Sequence, residues 1–208
     1  MTRRRLVATL VAMGGAAAML RARAAGAGHD HQHMDHSAHM AAAQQTAVKE
    51  TEQAYQVPAV TLVDQTGRKV AIDKALDDGR PVLLNFIFTS CTTVCPVMTQ
   101  IFTQVQAQLG DDVRKVHMVS ISIDPEYDTP SRLLAYGKEH GTGAQWDFYT
   151  GTLEASIAVQ KAFDAYRGDK MNHTPLTLLR AARSKSWLRL DGFAGPDTIV
   201  ARYRSLSG

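Results

Sequence analysis

Cysteine is nearly absent: two in 208 residues, Cys91 and Cys95. The fold therefore has no network of disulfides to rest on, and a chain of this length buries a normal core without one. A real excess of positive charge is also missing. The formal net charge is +3, but Arg3, Arg4, Arg5, Arg21 and Arg23 all lie in the first 24 residues; without them 18 basic residues face 20 acidic ones. That balance excludes a nucleic-acid footprint. The apolar run at residues 6–20 has 15 residues, short of a comfortable membrane span. No cysteine follows it to carry a lipid, and no internal repeat is present. What remains is a globular composition, 45% hydrophobic and 21% charged, with room for one ordinary domain plus extensions.

The first 24 residues read as an export signal. Arg3-Arg4-Arg5 is a charged leading region, residues 6–20 are its apolar stretch, and Ala22-Arg23-Ala24 or Ala25-Gly26-Ala27 supplies small residues for cleavage. Residues 2–7 resemble a twin-arginine signal, and a plain secretory signal fits equally. Cleaved, the signal releases a periplasmic protein; retained, it anchors the protein to the inner membrane. In either case thiols meet an oxidising compartment, so a dithiol there needs a reducing partner or a metal.

Residues 25–54 read as a linker outside the folded domain. Five of the eight histidines, His29, His31, His33, His36 and His39, fall within eleven residues, with Met34 among them and Met40 directly after. The segment has no apolar period. Imidazole suits Cu(II), zinc and nickel, and thioether suits Cu(I), so the mixture favours copper as a secondary, loose metal site. An ordinary polar linker is the plain alternative.

The folded domain is expected over residues 55–208. Residues 57–63 and 68–72 read as an N-terminal β-hairpin around Asp64-Gln65-Thr66-Gly67. Residues 81–88 are almost continuously apolar, as in a central strand covered on both faces. Val97, Met98, Ile101, Phe102, Val105 and Leu109 then recur at helical spacing, with Pro96 in the first turn and Gly110 at the end. A second buried strand (116–123), a helix (131–140) capped by Asp128 or Thr129, a short strand (146–149), a helix (153–166), two strands (176–181 and 187–190) and a final helix (196–205) complete the chain. Strands alternating with helices predict an α/β fold, thioredoxin-like, with a central mixed sheet flanked by helices.

The chemistry gathers at Cys91-Thr92-Thr93-Val94-Cys95-Pro96, between an apolar strand and a helix. A helix entry offers free N–H groups and partial positive charge, which stabilise a thiolate. Three intervening residues suit a metal clamp or a redox pair. Two thiolates hold Cu(I), and a site that also accepts Cu(II) wants a harder third ligand such as imidazole. Of the domain histidines, His117 lies within a strand run and His140 at a helix C-terminus, both with ordinary structural explanations. His173 precedes Thr174-Pro175 and a strand, where it could reach the sulfurs; an exposed loop histidine is the even alternative.

The residues Phe88-Thr89-Ser90-Cys91 with Cys95-Pro96, Ser122-Ile123-Asp124-Pro125 with Asp128-Thr129-Pro130, Trp146 with Thr150-Gly151, and His173 together resemble the SCO/SenC family of exported copper-binding proteins. The resemblance implies a thioredoxin-like fold and one copper, Cu(I) or Cu(II), held by Cys91, Cys95 and His173. It implies a role in assembling the copper centre of cytochrome c oxidase, chiefly its binuclear site, by delivering copper or reducing the target's cysteines. The chain departs from the family at Asn172 and Thr174, where an Asp-His-Ser run is common, at Tyr127, often arginine, and at the basic stretch 180–185, which stands where an acidic turn is usual.

Two functions from different classes follow. The first is a copper chaperone whose His/Met segment gathers metal near the clamp. Its partners would be a copper-site protein such as a cytochrome c oxidase subunit and a thiol-reducing protein, with the chain acting as a monomer near the membrane. The second is a thiol–disulfide oxidoreductase, with Cys91 attacking and Cys95 resolving. A thiol peroxidase ranks last, since no arginine accompanies the motif. A purely structural disulfide would close too small a loop to add much stability.

Overall fold

The computed structural model describes residues 48–207. The stretch expected to be an export signal and the His29–Met40 segment lie outside the described residues. In chain order the elements are β1 (Lys49–Ala54), β2 (Thr61–Asp64), β3 (Lys69–Ala71), α1 (Ile72–Ala75), β4 (Val82–Ile87), α2 (Val94–Leu109), β5 (His117–Ser122), α3 (Pro130–Glu139), β6 (Trp146–Thr150), α4 (Leu153–Ala162), β7 (Leu176–Arg180), β8 (Ser186–Asp191) and α5 (Pro196–Ser207). Among the described residues no helix is long and apolar enough to cross a membrane.

One eight-stranded sheet runs in the order β1-β8-β7-β4-β5-β6-β2-β3. Its centre, β4 beside β5 and β5 beside β6, is parallel. The strands beyond on both sides pair antiparallel. All six residues of β4 are buried, which is why that stretch reads as an unbroken apolar run rather than an alternation. Its alternate side chains feed two cores. Leu83 and Ile87 join α2, α5 and Leu133 of α3 on one face; Val82, Leu84 and Phe86 meet Leu62, Val159 and Phe163 on the other. Phe102 and Trp146, both essentially unexposed, pack at 5.6 Å between ring centroids and close the first core.

The predicted hairpin is present as β2–β3 and extends the sheet beyond β6. The Asp64 carboxylate makes its turn, accepting from the backbone N–H groups of Thr66 at 2.8 Å and Arg68 at 3.0 Å. Its first strand is shorter than expected and starts at Thr61.

The opposite edge corrects the sequence reading. Residues 49–54, read as linker, form β1 and pair with β8 along their whole length, from Lys49 opposite Asp191 to Ala54 opposite Ser186. The ordered sheet thus begins before Tyr55. The physical reason is that β1, Lys-Glu-Thr-Glu-Gln-Ala, is mostly exposed and carries no apolar alternation. It is a charged edge strand held by backbone hydrogen bonds, of the kind that blunts further strand addition. Glu50 adds an ion pair with Arg202 of α5 at 2.9 Å.

Candidate metal and thiol site

The site grows out of the C-terminal end of β4. The chain leaves the sheet at Phe88, turns with Cys91 N–H donating to the Phe88 carbonyl at 3.1 Å, and enters α2 at Val94. Thr93, the residue before the helix, makes no side-chain cap. First-turn N–H groups are therefore open to another acceptor, and the Cys95 N–H donates to the Cys91 sulfur at 3.4 Å. Pro96 follows inside the first turn, where its missing N–H costs nothing.

The two cysteines are free thiols of opposite character. Cys91 is half-buried and Cys95 is 1% exposed. The Phe88 N–H donates to Cys95 Sγ at 3.4 Å, and Thr93 Oγ1 lies 3.8 Å from Cys91 Sγ. The Cys91 thiol is pulled down to about 4, first by the hydrogen bond from the Cys95 thiol and then by the N–H groups of Cys95 and Thr93, against the opposing effect of its own burial. The Cys95 thiol is pushed up, because it is the donor of that pair and is buried. At neutral pH the pair is one thiolate, reachable from solvent, and one thiol behind it.

A buried carboxyl fixes this loop to the neighbouring strand. Asp128 is 0% exposed. It accepts from the Thr89 N–H at 3.2 Å, from the Thr89 hydroxyl in a short bond, and from the Ser122 hydroxyl at 2.6 Å. Burial pushes its carboxyl upward, opposed by those hydrogen bonds, and the nearby Asp124 adds to the rise. Asp128 is therefore not the helix cap that the sequence allowed. Thr129 caps α3, accepting from the Arg132 N–H at 3.4 Å, and leaves Asp128 free to face the cysteine loop.

The third segment comes from the other side of β4. A single 3-10 turn, Lys170–Asn172, ends at His173, just before β7. Lys170 pairs with Asp124 at 2.5 Å, and its ammonium lies 5.7 Å from the centre of the Phe88 ring. The Asp124 N–H in turn donates to Ser122 Oγ at 3.0 Å. Thr89, Asp128, Ser122, Asp124 and Lys170 thus link the cysteine loop, the Asp-Pro loop and the His173 segment in one polar chain. Burial lowers the His173 pKa, with the Phe86 carbonyl and the Cys91 thiolate pulling it partly back. The imidazole is neutral at pH 7, the form that binds metals. It lines a cavity of about 190 Å³ with Ile123, Tyr166, Arg167 and Lys170.

Cys91 and Cys95 are thus brought into hydrogen-bonding contact, and His173 lies beside them at the same end of the sheet. It does not complete a cluster: among the described residues no three His, Cys, Asp or Glu side chains are grouped to hold a metal. His117 is 2% exposed and lies between Asp147, at 2.9 Å, and Asp78, at 3.4 Å, at the start of β5 and so at the far end of the sheet. His140 ends α3 with its ring 4.4 Å from that of Tyr136. Both keep the structural roles expected of them. The residues sequence reasoning missed are Thr89, Ser122 and Lys170 as the linkage around the site. Ser120 and Ser122 were the available signal, since hydroxyls in a fully buried strand require partners. Nothing in the sequence singled out Lys170.

A family model described as SCO1/SenC matches residues 48–207, essentially all of the described region. The chain belongs to the SCO1/SenC family. It is 35% identical over 104 residues to the SCO1 protein homolog of Bacillus subtilis (strain 168), an alignment covering 50% of this chain and 53% of that protein. The chain thus spans about half the length of that curated relative. Among solved structures it is similar to BsSco, a member of the Sco family of cytochrome c oxidase assembly proteins (29% identity, TM-score 0.63, 75% of this chain and 95% of that one). It is also similar to copper-bound ScoI of Bradyrhizobium japonicum (27% identity, TM-score 0.57, 71% of this chain and 96% of that one). The fold of this SCO1/SenC chain is thioredoxin-like, with helices on both faces of a mixed sheet.

Proposed function

We propose that this protein is an exported copper chaperone whose cargo is one copper ion held by Cys91, Cys95 and His173. The observation that carries the reading is a solvent-reachable thiolate backed by a second thiol at a helix entry, with a neutral imidazole on the adjoining segment. Two soft sulfurs and one imidazole form a donor set for Cu(I) that also tolerates Cu(II). The family membership and the copper-bound relative support it.

Cys91 is the entry ligand, because it is already ionised and half-exposed. Cys95 joins by giving up its proton to solvent, so loading releases about one proton at neutral pH. His173 joins last. Its segment is tied to the Asp-Pro loop by the Lys170–Asp124 pair. Delivery is ligand exchange: thiolates of a copper-site protein replace Cys91 first, then Cys95. The proposed recipient is the binuclear copper site of cytochrome c oxidase, a reading supported by the likeness to a member of the Sco family of cytochrome c oxidase assembly proteins.

A second reading, thiol–disulfide exchange, is favoured by the contrast between the two thiols. The Cys91 thiolate attacks a target disulfide and expels one target thiolate. Cys95 loses its proton, attacks the Cys91 sulfur of the mixed disulfide and releases the second. The target gains two thiols, Cys91 and Cys95 end as a disulfide, and a thiol-reducing protein must restore them. This chemistry prepares a recipient's cysteines for copper and belongs to the same role.

The test is Cu(II) addition to the reduced protein, read as a thiolate-to-copper charge-transfer band. The band is expected in the wild type and absent in Cys91→Ser and Cys95→Ser. A wild-type protein that shows no such band refutes the chaperone reading. Reduction of a disulfide substrate by metal-free protein, with His173→Ala equally active, would favour the oxidoreductase instead.

A further inference from the structure

Leu153, Ile157 and Gln160 recur at helical spacing and form one stripe of α4. The chain that follows folds back over this stripe. Asp164 and Gly168 both adopt positive φ, 49° and 78°, and the Ala165 N–H donates to the Gln160 backbone carbonyl at 2.8 Å. The reversal brings Tyr166, Arg167 and Asp169 opposite the stripe and leaves between them the cavity of about 190 Å³ that His173 also lines. Leu153 heads the stripe yet is 44% exposed. The fold therefore leaves part of this apolar wall uncovered.

A polar residue interrupts the stripe. Gln160 is 6% exposed. Its Nε2 donates to Ser156 Oγ at 3.1 Å, and Ser156 Oγ donates to the Ser122 carbonyl at 2.9 Å. That hydroxyl has one proton, already given to Ser122, so it must accept from Gln160, and the amide orientation is fixed. Oε1 is then the free end of the side chain, with no hydrogen bond from the described residues and without being sealed in the interior. A side-chain acceptor this deep normally has a partner, and the cavity is where a donor can reach it. The rim carries both charges. Arg167 is exposed and donates only to the Tyr166 carbonyl at 3.0 Å; no carboxylate among the described residues pairs with it. Asp169 Oδ1 accepts from the Met171 N–H at 2.8 Å, which leaves Oδ2 without a partner among the described residues. Lys170 is already neutralised by Asp124.

We propose that this cavity binds a free apolar α-amino acid. The ligand's carboxylate pairs with the Arg167 guanidinium, its ammonium donates to Gln160 Oε1 and Asp169 Oδ2, and its side chain covers Leu153 and Ile157. A zwitterion answers every group left open here. A plain carboxylate would leave Gln160 and Asp169 without a donor, and a plain amine would leave Arg167 without an anion. The volume lies below the ~300–1,000 Å³ of sites for drug-sized molecules, which suits a single amino acid better than a peptide. The site needs no copper and meets the Cys91–Cys95–His173 clamp only at His173, which forms part of its wall.

The experiment is titration of the full, reduced, metal-free chain with L-leucine, read by NMR at the Gln160 side-chain amide, the Gly168 N–H and the His173 imidazole. Saturable shifts at all three are expected. N-acetyl-L-leucine has no ammonium and stands for the last residue of a peptide; L-leucinamide has no carboxylate and stands for the first. Each loses one charge-assisted contact and should bind at least about tenfold more weakly than L-leucine. Arg167→Gln and Gln160→Leu should each weaken L-leucine about tenfold. Arg167 is exposed, so its variant should keep the wild-type unfolding midpoint and isolates binding from folding. Equal binding of N-acetyl-L-leucine would overturn the ammonium contacts, and equal binding of L-leucinamide or of Arg167→Gln would overturn the carboxylate contact. The absence of saturable shifts at Gln160 and Gly168 up to about 10 mM L-leucine overturns the site as a whole, whatever the thiols do with copper.

Discussion

Asp128→Ala is the perturbation that most sharply tests how the cysteine loop is held. The substitution removes the acceptor for the Thr89 N–H, the Thr89 hydroxyl and the Ser122 hydroxyl at a site with no solvent exposure. A buried donor left unpaired costs about 1–3 kcal/mol, and hydroxyls can rotate toward other acceptors while a backbone N–H cannot. The expected loss is therefore about 3 kcal/mol, read as guanidinium unfolding of the reduced protein. Asp128→Asn retains one acceptor oxygen and should lose about 1 kcal/mol. The pH dependence has a definite sign. The folded pKa of Asp128 is raised. The stability it contributes is therefore fully present below the ordinary aspartate pKa and falls as pH rises through the folded value. The gap between wild type and Asp128→Ala should be larger at pH 4 than at pH 7. The loosened loop should also expose Cys95, now 1% exposed, to alkylation. A variant within 0.5 kcal/mol of wild type, with Cys95 still protected, would refute the role given to Asp128.

Three further outcomes follow from other parts of the molecule. Alkylation of Cys91 by iodoacetamide should proceed at an almost constant rate from pH 8 down to about pH 5 and fall only as pH nears the thiol's value of about 4; Cys95→Ala removes the donor thiol, so the fall should move to higher pH. Lys170→Met breaks the pair with Asp124 while leaving stability within about 1 kcal/mol, since the lysine is partly exposed; faster hydrogen exchange at the Met171 and His173 amides is the expected signature, and unchanged exchange would show that the pair restrains nothing. Phe102→Ala, at a fully buried position against Trp146, should cost about 3–5 kcal/mol in the same unfolding assay without altering the Cys91 alkylation profile.

The parts of this protein that were legible in its sequence are those where burial writes a pattern. The run ending at Phe88 is apolar because β4 is covered on both faces, and α2 shows its inward stripe at helical spacing. Between them, scarcity made Cys91 and Cys95 conspicuous. β1 was missed because an exposed edge strand needs only backbone hydrogen bonds, and Lys-Glu-Thr-Glu-Gln-Ala would read the same in a linker. Asp128 looked like a helix cap because an aspartate before Thr-Pro fits a cap as well as it fits a buried anchor; only the third dimension brings Thr89 to it. Arg180 was counted in a basic turn, yet it belongs to β7 and is buried with its guanidinium 4.8 Å from the centre of the Trp187 ring. His173 was singled out from its position before a strand, but a sequence does not say how side chains gather in space, and among the described residues no three His, Cys, Asp or Glu side chains are grouped to hold a metal.

The most direct test of the central claim is X-ray absorption at the copper edge on Cu(I)-loaded protein with His29, His31, His33, His36 and His39 each substituted by glutamine, compared with the same protein also carrying His173→Ala. Two sulfur ligands and one nitrogen in the first, and two sulfurs with no imidazole scattering in the second, are the predicted result. Identical spectra from the two proteins, or a copper shell without sulfur, would contradict the assignment of Cys91, Cys95 and His173 as the clamp.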